Sequence, residues 1–304
     1  MIKKKIIVLL AAFNGEKYIK HQINSIINQS IQPYKIIINV DNSSDQTLDI
    51  IKIYAQKNTN IKIINTNMKF GSGASNFIYL LKNINFSDVD FIALSDQDDI
   101  WHPDKLERAQ FFLDKGYDGY SSNVEAFWED GSKKNIYKNH PQKKYDYLFE
   151  SAGPGCTYVF NKKLALSFQS FIKKNNFDYI NQYHDWLIYA FSRANGFKWY
   201  IDKFISLKYR QHENNAFGAN VGIKSFIIRA RKVLMGDGFN FALHLIKVLP
   251  NNANFPIRYP LSRIKLLHLA FLSRLCRRRK RDQFYFFMAC FLLSIVFPNK
   301  IKNV

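Results

Sequence analysis

Strand-like and helix-like segments alternate over residues 1–120, and this alternation constrains the fold more than any other feature of the chain. Short apolar runs cover residues 5–10, 35–40, 61–65 and 91–94. Apolar residues recur at helical spacing between these runs, over residues 16–28, 47–56 and 74–82. Strands and helices that alternate with short loops predict a parallel sheet covered by helices on both faces. Such sheets bind their ligands at the carboxyl ends of the strands.

The composition is that of a folded protein with one large domain or a domain and an appendage. A chain of 304 residues with 47% hydrophobic and 16% aromatic residues is excluded from the disordered class. The cysteines at 156, 276 and 290 are odd in number and widely spaced, which predicts a reducing compartment without a disulfide framework or zinc site. The apolar run 6–13 is short, so we read it as a first strand and not as a signal peptide.

Three carboxylates follow the apolar run that ends near residue 94: Asp96, Asp98 and Asp99. Clustered acids at the rim of a sheet repel one another unless a cation neutralises them. Mg²⁺ and Mn²⁺ prefer such oxygen ligands and often share them with phosphates. If the strand continued, Asp96 and Asp98 would face one side and Gln97 the other. A solvated acidic loop that opens a helix is the alternative, because Pro103 follows shortly after.

The net charge of +20 lies mostly at the carboxyl-terminal end, since residues 224–304 carry +14 of it. Within that tail, six basic residues precede an apolar run of 14 residues at 284–297: Arg274, Arg277, Arg278, Arg279, Lys280 and Arg281. The run is shorter than the roughly 20 residues that span a bilayer. We therefore expect a helix that lies on an anionic membrane surface. A buried terminal helix or an oligomer contact remains the alternative, and nucleic acid is not expected as a partner.

Six ordered motifs between residues 5 and 220 resemble those of the family 2 glycosyltransferases of GT-A fold, and more narrowly the bacterial rhamnosyltransferase-like branch of O-antigen and capsule synthesis. The motifs are LLAAFNGEKYIKHQINSIINQS, VDNSSDQT, LSDQDDIWHPDKL, GPGCTYVFNKKL, YHDWLIYAF and YRQHENNAFG. The resemblance implies an α/β fold with a Rossmann-like, mostly parallel sheet flanked by helices. It divides the chain into a glycosyltransferase domain at 1–222, with a nucleotide half at 1–116 and an acceptor half at 117–222. A basic helical tail at 223–304, associated with the membrane, would follow.

The resemblance also implies roles for individual residues on the nucleotide and metal side. Ala11, Phe13 and Asn14 would form part of the nucleotide pocket, with Phe13 against the base. Asp41 would accept a hydrogen bond from the pyrimidine N3–H, an imide donor that suits a carboxylate. Locally, an Asx turn before the second helix explains Asp41 as well. Asp96 and Asp98 match the DxD motif, with Asp98 as a metal ligand, and His212 matches a histidine that completes the metal site.

On the acceptor side, the resemblance implies that Asp185 is the general base of an inverting transfer. An acid at the start of a helix, stabilised by the helix dipole, is the simpler explanation, and both can hold together. Gly155 and Cys156 would lie at the acceptor side, where a small residue lets the sugar approach the backbone. His184 and Trp186 would also lie there. Cys156 is not expected to be a nucleophile, because no base accompanies it in the sequence.

These features predict a metal-dependent inverting glycosyltransferase on the cytoplasmic face of the membrane, using Mg²⁺ or Mn²⁺. The expected reaction moves L-rhamnose from dTDP-rhamnose onto a lipid-linked saccharide. A UDP-hexose or UDP-N-acetylhexosamine transferase is the near alternative, because thymine and uracil share the same imide edge. A non-catalytic sugar-nucleotide-binding scaffold is the alternative from another class. The sequence does not indicate an oligomeric state.

Overall fold

The computed structural model describes residues 4–65, 68–175, 183–212, 237–250, 255–257 and 260–296. The strands are β1 (Ile6–Ala12), β2 (Lys35–Val40), β3 (Ile61–Asn65), β4 (Phe91–Ser95), β5 (Ile100–Trp101), β6 (Gly119–Phe127), β7 (Lys133–Ile136), β8 (Val159–Asn161) and β9 (Trp199–Arg210). The helices are α1 (Ile19–Ile27), α2 (Thr47–Lys57), α3 (Gly73–Asn83), α4 (Lys105–Asp114), α5 (Lys162–Lys174), α6 (His184–Ala194), α7 (Asp237–Val248), α8 (Arg263–Phe271), α9 (Ser273–Cys276) and α10 (Lys280–Val296). Short 3₁₀ turns cover Asp146–Leu148 and Gly155–Thr157.

The strands form one sheet in the order β3-β2-β1-β4-β8-β6-β9-β5, with β7 on the side of β6. The first four strands in this order are parallel, and Leu10 pairs with Ser95 while Ala12 pairs with Val40. The carboxyl ends of β1, β2 and β4 therefore meet at one edge. Beyond β4 the sheet is mixed, because β8 runs antiparallel to β4 and β6 while β6 and β9 are parallel. The predicted α/β fold is confirmed, with its parallel part confined to the first half.

The strand β1 explains why the sheet needs helices on both faces. Ile6, Val8 and Leu10 point into a core shared with α1, α2 and α4, whereas Ile7 and Leu9 point into a core shared with α3, α5 and α6. Each of these side chains is buried, and full burial of a Leu or Ile stabilises the fold by about 1.5–3 kcal/mol. An apolar run without polar alternation is what a strand covered on both faces requires.

Because β8 is antiparallel to β4, a second segment of the chain lies at the edge of the sheet where β4 ends. The residues that precede β8 lie beside the residues that follow β4. The amide of Leu94 donates to the carbonyl of Tyr158 at 3.0 Å, which continues the pairing by one step. The Gly155–Thr157 turn is therefore placed next to the acidic segment 96–99, although about 60 residues separate them in sequence.

The strand β9 is longer than its sequence suggested. The apolar and aromatic residues at 197–200 predict a short strand, whereas the observed strand extends from Trp199 to Arg210. The polar residue Asp202 that interrupts the apolar pattern is buried, and it accepts hydrogen bonds from Arg108 at 2.6 Å and Tyr120 at 3.0 Å. These partners lie more than 80 residues away, so the local pattern does not reveal them. The long strand delivers Arg210 and His212 to the acidic edge.

The carboxyl-terminal helices pack on the main body. The ring of Phe149 lies 4.8 Å from that of Phe286 in α10 and 6.5 Å from that of Phe239 in α7, measured between centroids. Residues of α7 and α8 join the same core as α6. Within the described ranges, no helix is long and apolar enough to cross a membrane. The predicted domain boundary at residue 222 lies outside the described residues.

Two of the six tail basic residues do not serve the membrane role expected of them. Arg278 is 4% exposed, and its guanidinium lies 3.2 Å from the carboxylate of Glu150 and 3.7 Å from that of Asp146. The neighbouring Arg277 donates to the carbonyl of Phe149 at 2.7 Å. The prediction grouped these arginines with lipid-facing ones because their acidic partners lie 128 residues away in sequence. They fix the tail to the protein instead.

Candidate active site

The strand β4 ends at Ser95, and the chain bends immediately afterwards. The alternation argument for Asp96 and Asp98 is therefore wrong, since neither residue belongs to the strand. The Asp98 carboxylate lies 2.8 Å from Nε2 of His212. Asp96 turns instead toward Asp99 and Cys156, and the candidate ligand atoms of these three residues lie within 4.8 Å of one another. The bend thus divides the acidic segment between two neighbouring positions.

The acidic segment is electrostatically unfavourable without a cation. Burial first, and then the nearby charges of Asp98 and Asp185, raise the pKa of Asp96 to about 7. Burial first, and then the charges of Asp98 and Asp96, raise the pKa of Asp99 well above its usual range. The Oδ2 atom of Asp99 is buried and has no hydrogen-bond partner among the described residues. Carboxylate oxygens with an imidazole nitrogen beside them form a donor set that fits Mg²⁺ or Mn²⁺.

The buried Lys105 lies near this segment without forming an ion pair that neutralises it. Its Nζ lies 3.2 Å from the centroid of the Trp101 ring and has no hydrogen-bond partner among the described residues. Burial lowers the pKa of Lys105 to about 7, although the charges of Asp99 and Asp96 act in the opposite direction. A cation–π contact stabilises an ammonium group in the absence of a carboxylate partner. The acids therefore retain their capacity for another cation.

Arg210 fixes the acidic segment from the end of β9. Its Nε donates to the carbonyl of Asp98 at 2.8 Å, and its backbone amide donates to Oδ1 of Asp99 at 3.1 Å. The guanidinium lies between the rings of Tyr18, at 4.5 Å, and Phe127, at 4.6 Å. Tyr18 also stacks on His212 with 5.3 Å between ring centroids. Tyr18 and Phe127 could not be recognised from the sequence, because the residues they contact are distant. Arg210 and His212 lie almost 200 residues after Tyr18, and Arg210 lies about 85 residues after Phe127.

The loop after β1 is joined to the acidic segment by Gln97. Its side-chain oxygen accepts from the amide of Phe13 and its side-chain nitrogen donates to the carbonyl of Phe13, each at 2.7 Å. A Cβ on Gly15 would come within 2.4 Å of the Gln97 oxygen, so this close approach requires glycine. Phe13 itself is 48% exposed beside the loop. Gln97 is a functional candidate that the sequence argument set aside as pointing away.

The other predicted nucleotide residues lie at the same edge of the sheet. Asn14 adopts the left-handed backbone conformation with φ 44°, and its side-chain oxygen accepts from the amide of Ser44 at 2.8 Å. Ala11 is buried within β1. The Oδ1 atom of Asp41 accepts from the amides of Asn42 at 2.7 Å and Phe70 at 3.1 Å. The local structural role of Asp41 is thus present, and its contact with a base remains a prediction.

Asp185 lies in the first turn of α6, where its Oδ1 accepts from the amide of Trp186 at 2.7 Å. Burial raises the pKa of Asp185 to about 6. The Asp185 charge in turn contributes to the raised pKa of Asp96, as does the charge of Asp98. Asp185 therefore lies near Asp96, in agreement with the adjacent positions of Gly155 beside Asp185 and Cys156 beside Asp96. A carboxyl group that titrates near neutral pH beside a cation site is typical of an active site.

His184 is held as a neutral side chain. Its ring stacks on Phe77 with 4.5 Å between centroids, and burial lowers its pKa to about 3. Its Nε2 has no hydrogen-bond partner among the described residues. A Cβ on Gly155 would come within 2.5 Å of that Nε2 and 3.2 Å of the Asp185 Cβ. Gly155 therefore makes room for His184 and Asp185, and its role in admitting an acceptor sugar remains a prediction.

Two further residues predicted at the acceptor side make contacts within the protein, and their acceptor roles remain predictions. Cys156 is fully buried, and its neighbours are Asp96 and Asp99. Burial raises the pKa of the Cys156 thiol, in agreement with its not being a nucleophile. Trp186 donates from its indole nitrogen to the carbonyl of Tyr147 at 2.8 Å, and its ring lies 4.4 Å from that of Phe241 in α7. Its contacts position α6 against the tail.

Comparisons with known proteins agree with this arrangement. The family model for glycosyl transferase family 2 matches residues 7–173. The chain is 40% identical over 219 residues to the dTDP-rhamnosyl transferase RfbG of Shigella flexneri, covering 71% of this chain and 76% of that protein. It is 27% identical over 197 residues to WfgD of Escherichia coli, a UDP-Glc:alpha-D-GlcNAc-diphosphoundecaprenol beta-1,3-glucosyltransferase, covering 57% and 72% of the two chains.

Solved structures share the fold at low sequence identity. Staphylococcus aureus TarS 1-349 in complex with UDP superposes with a TM-score of 0.55 at 16% identity, covering 97% of this chain and 92% of that one. The mannosyltransferase PcManGT of Pyrobaculum calidifontis, in complex with GDP-Man and Mn2+, gives 0.52 at 13% identity, covering 98% and 88%. The sheet with its acidic edge therefore defines a glycosyltransferase of the GT-A type. The chain belongs to glycosyltransferase family 2, and within that family it is a rhamnosyltransferase-like enzyme.

Proposed function

We propose that this enzyme is an inverting, metal-dependent glycosyltransferase that moves L-rhamnose from dTDP-rhamnose onto a lipid-linked saccharide. The observation that supports the mechanism is that Asp185 lies near Asp96: a Cβ on Gly155 would come within 3.2 Å of the Asp185 Cβ, and the ligand atom of the next residue, Cys156, lies within 4.8 Å of that of Asp96. The similarity to a dTDP-rhamnosyl transferase supports the choice of donor. The enzyme would act at the inner face of the cytoplasmic membrane, where such an acceptor resides.

Asp98 and His212 are the residues that would hold a divalent ion, with Asp96 beside them. Their oxygen and nitrogen donors suit Mn²⁺ or Mg²⁺, and the mutual repulsion of the acids falls when a cation is present. The bound ion would neutralise charge on the departing nucleoside diphosphate. Arg210 supports this site by fixing the carbonyl of Asp98, and the His212 ring is supported by stacking on Tyr18.

Asp185 would serve as the base. With a pKa of about 6 it is mostly ionised at neutral pH, yet basic enough to accept a proton. Its carboxylate takes the proton of the acceptor hydroxyl while that oxygen attacks the anomeric carbon, and the bond to the diphosphate breaks on the opposite side. The amide of Trp186 fixes the carboxylate for this transfer. His184, whose lowered pKa keeps it neutral, adds no competing positive charge.

On the donor side, the exposed Phe13 would lie against the base, with Ala11 and Asn14 forming the surrounding loop. Asp41 would accept from the pyrimidine N3–H, as its place after β2 allows. A UDP-hexose or UDP-N-acetylhexosamine donor is the second candidate, supported by the similarity to a glucosyltransferase that uses UDP-Glc. The two donors differ in the methyl group of thymine, in the ribose 2′-hydroxyl and in the sugar, and Asp41 does not distinguish the bases because thymine and uracil share the same imide edge.

The test is a transfer assay with purified protein, a detergent-solubilised lipid-linked saccharide and one donor at a time. We expect transfer from dTDP-rhamnose in Mn²⁺ or Mg²⁺ and none in EDTA. Asp185→Asn should lower turnover by roughly 10²–10⁴-fold, because the base is lost while the side-chain shape is kept. Asp114→Asn, the same change at an exposed position of α4, is the control and should leave turnover unchanged. Transfer from UDP-glucose alone would favour the second candidate, and full activity of Asp185→Asn would refute the proposed base.

A further inference from the structure

The tail helices carry an exposed apolar surface that the core does not use. On α8 and α9, exposed side chains recur at i, i+3, i+7 and i+11, at Ile264, Leu267, Phe271 and Leu275. This spacing places them along one side of the helices. The opposite side is buried through Leu266, Leu269 and Ala270. Phe271 is 70% exposed, which is unusual for a large aromatic residue.

The helix α10 continues this surface. Its buried side chains are Cys290 and Leu293, whereas the following large apolar residues are exposed along the other side: Phe284, Met288, Phe291, Leu292, Ile295 and Val296. Residues 284–296 contain no charged side chain. The exposed series on the two helices are connected, because Phe271 contacts Phe287 at 6.0 Å and Phe287 stacks on Phe291 at 6.1 Å between ring centroids. We call these exposed residues of α8, α9 and α10 the apolar strip.

Basic residues lie at one end of the apolar strip. Arg274, Arg279, Lys280 and Arg281 are exposed around the start of α10. The acidic residue in this region, Asp282, is already paired with Arg281 at 3.2 Å and lies 3.9 Å from Arg277. Because Arg277 and Arg278 are engaged with the protein, they hold the strip in place and leave the other cations facing outward. A large exposed apolar surface beside exposed positive charge that exceeds the nearby negative charge indicates a binding partner that is both apolar and anionic.

We propose that the apolar strip and its basic end form a docking surface for an anionic lipid bilayer, on which α10 lies flat. The apolar side chains would enter the boundary between headgroups and acyl chains, and the exposed cations would contact phosphate groups. A second copy of the chain would cover the apolar side chains but would bring the same positive charges face to face, which is unfavourable. The proposal rests on the proposed function in one respect, that it places the enzyme where its lipid-linked acceptor lies. Binding of the protein to vesicles can be measured independently of sugar transfer.

The experiment is vesicle cosedimentation of the purified full chain. Phosphatidylcholine vesicles are compared with vesicles that contain about one third phosphatidylglycerol, at low and at high salt. We expect binding to the anionic vesicles at least tenfold stronger than to the neutral ones, falling as salt screens the headgroup charge. Arg279→Glu with Lys280→Glu should weaken binding at least tenfold. The control pair Lys57→Glu with Lys82→Glu makes the same charge change on α2 and α3 and should leave binding nearly unchanged.

The apolar contribution is tested by a second pair of variants. Phe284→Ser with Ile295→Ser removes two strip side chains, and Ile53→Ser with Phe111→Ser removes an equally exposed isoleucine and phenylalanine from α2 and α4. We expect only the first pair to lose vesicle binding, while its transfer to a detergent-solubilised acceptor is retained. Retained transfer separates a failure to dock from a failure of the proposed chemistry.

Three results would overturn the proposal. The first is a wild-type protein that does not bind the anionic vesicles. The second is equal loss of binding in the strip variants and their controls. The third comes from light scattering: a dimer that becomes a monomer in Phe284→Ser with Ile295→Ser, with vesicle binding unchanged, would assign the apolar strip to a second copy of the chain.

Discussion

Two groups of largely buried acidic residues differ in how their charge is neutralised. The group after β4, Asp96 with Asp98 and Asp99, has raised pKa values at Asp96 and Asp99 because of burial and mutual repulsion. The other group, Asp146 and Glu150, is surrounded by arginines. Arg193 lies 3.2 Å from Asp146, and Arg278 contacts both carboxylates. Burial raises the pKa of Asp146 as well, but the two arginines oppose the shift.

The difference indicates what each group is for. Carboxylates that the protein pairs with its own cations have no capacity left for a ligand, and they serve to hold segments together. Here the Asp146 group joins the Asp146–Leu148 turn, α6 and the start of α10. Carboxylates left without paired cations are costly in the isolated protein and are retained where a metal or substrate supplies the missing charge. The position of a buried acid is therefore less informative than the identity of its partners.

The largest expected effect separates the two groups directly. Asp98→Asn should lower transfer by roughly 10²–10³-fold, because a ligand to the charge-neutralising ion is lost. Its free energy of unfolding, measured by denaturant in EDTA, should be unchanged or higher, because repulsion among the acids is relieved. Asp146→Asn should instead lower the free energy of unfolding by about 3–5 kcal/mol, since it leaves buried arginines without a full partner. Equal losses of stability in both variants would contradict the distinction.

A smaller effect tests the tail's attachment. Arg278→Met keeps much of the side chain's volume but removes the ion pairs with Glu150 and Asp146, so we expect a loss of about 2–3 kcal/mol in the free energy of unfolding. The loss is smaller than for Asp146→Asn because Arg193 and Arg277 remain. Arg274→Met, the same change at an exposed site four residues earlier, should cost no more than about 0.5 kcal/mol. Similar values for the two variants would mean that Arg278 is not part of the structural group.

The parallel half of the fold was accessible from sequence because its signals are local. The runs that form β1 to β4 are apolar on both faces and are separated by helices with regular spacing, so the bounds of β2 and β3 agree with prediction. The second half depends on distant partners. Asp202 interrupts the apolar pattern of β9, and its side-chain partners Arg108 and Tyr120 lie far away in sequence. The length of this strand is therefore not visible in the local pattern.

The candidate site shows the same limit. The acids after β4 and the acid of α6 could be named from motifs, and the charge of Asp185 lies close enough to Asp96 to help raise its pKa. Gln97 and Tyr18 could not be named, because their roles arise from contacts with Phe13 and His212 across the edge of the sheet. For the same reason Cys156 was expected at the surface of the site and lies buried among carboxyl groups. Motif spacing gives residue types and order, whereas side-chain direction comes from the turn in which each residue lies.

Asp185 belongs to neither group, and its substitution gives the smallest expected change in the free energy of unfolding and the one most specific to pH. Its folded-state pKa of about 6 lies above the ordinary value of 3.8, so ionisation of Asp185 destabilises the folded state. The cost grows as pH rises from about 4 to about 6 and is fully present above that range.

Asp185→Asn keeps the acceptor for the Trp186 amide and removes the charge. It should therefore raise the free energy of unfolding by about 1–2 kcal/mol at pH 8, with the gain falling as pH approaches 4. In the wild type, kcat/KM should fall as pH drops through about 6, because the base becomes protonated. Denaturant unfolding at several pH values and a pH–rate profile measure the two effects, with Asp114→Asn as the control in both. If the gain in the free energy of unfolding of Asp185→Asn did not depend on pH, the charge of Asp185 would not be its cause, and a change in packing would explain it.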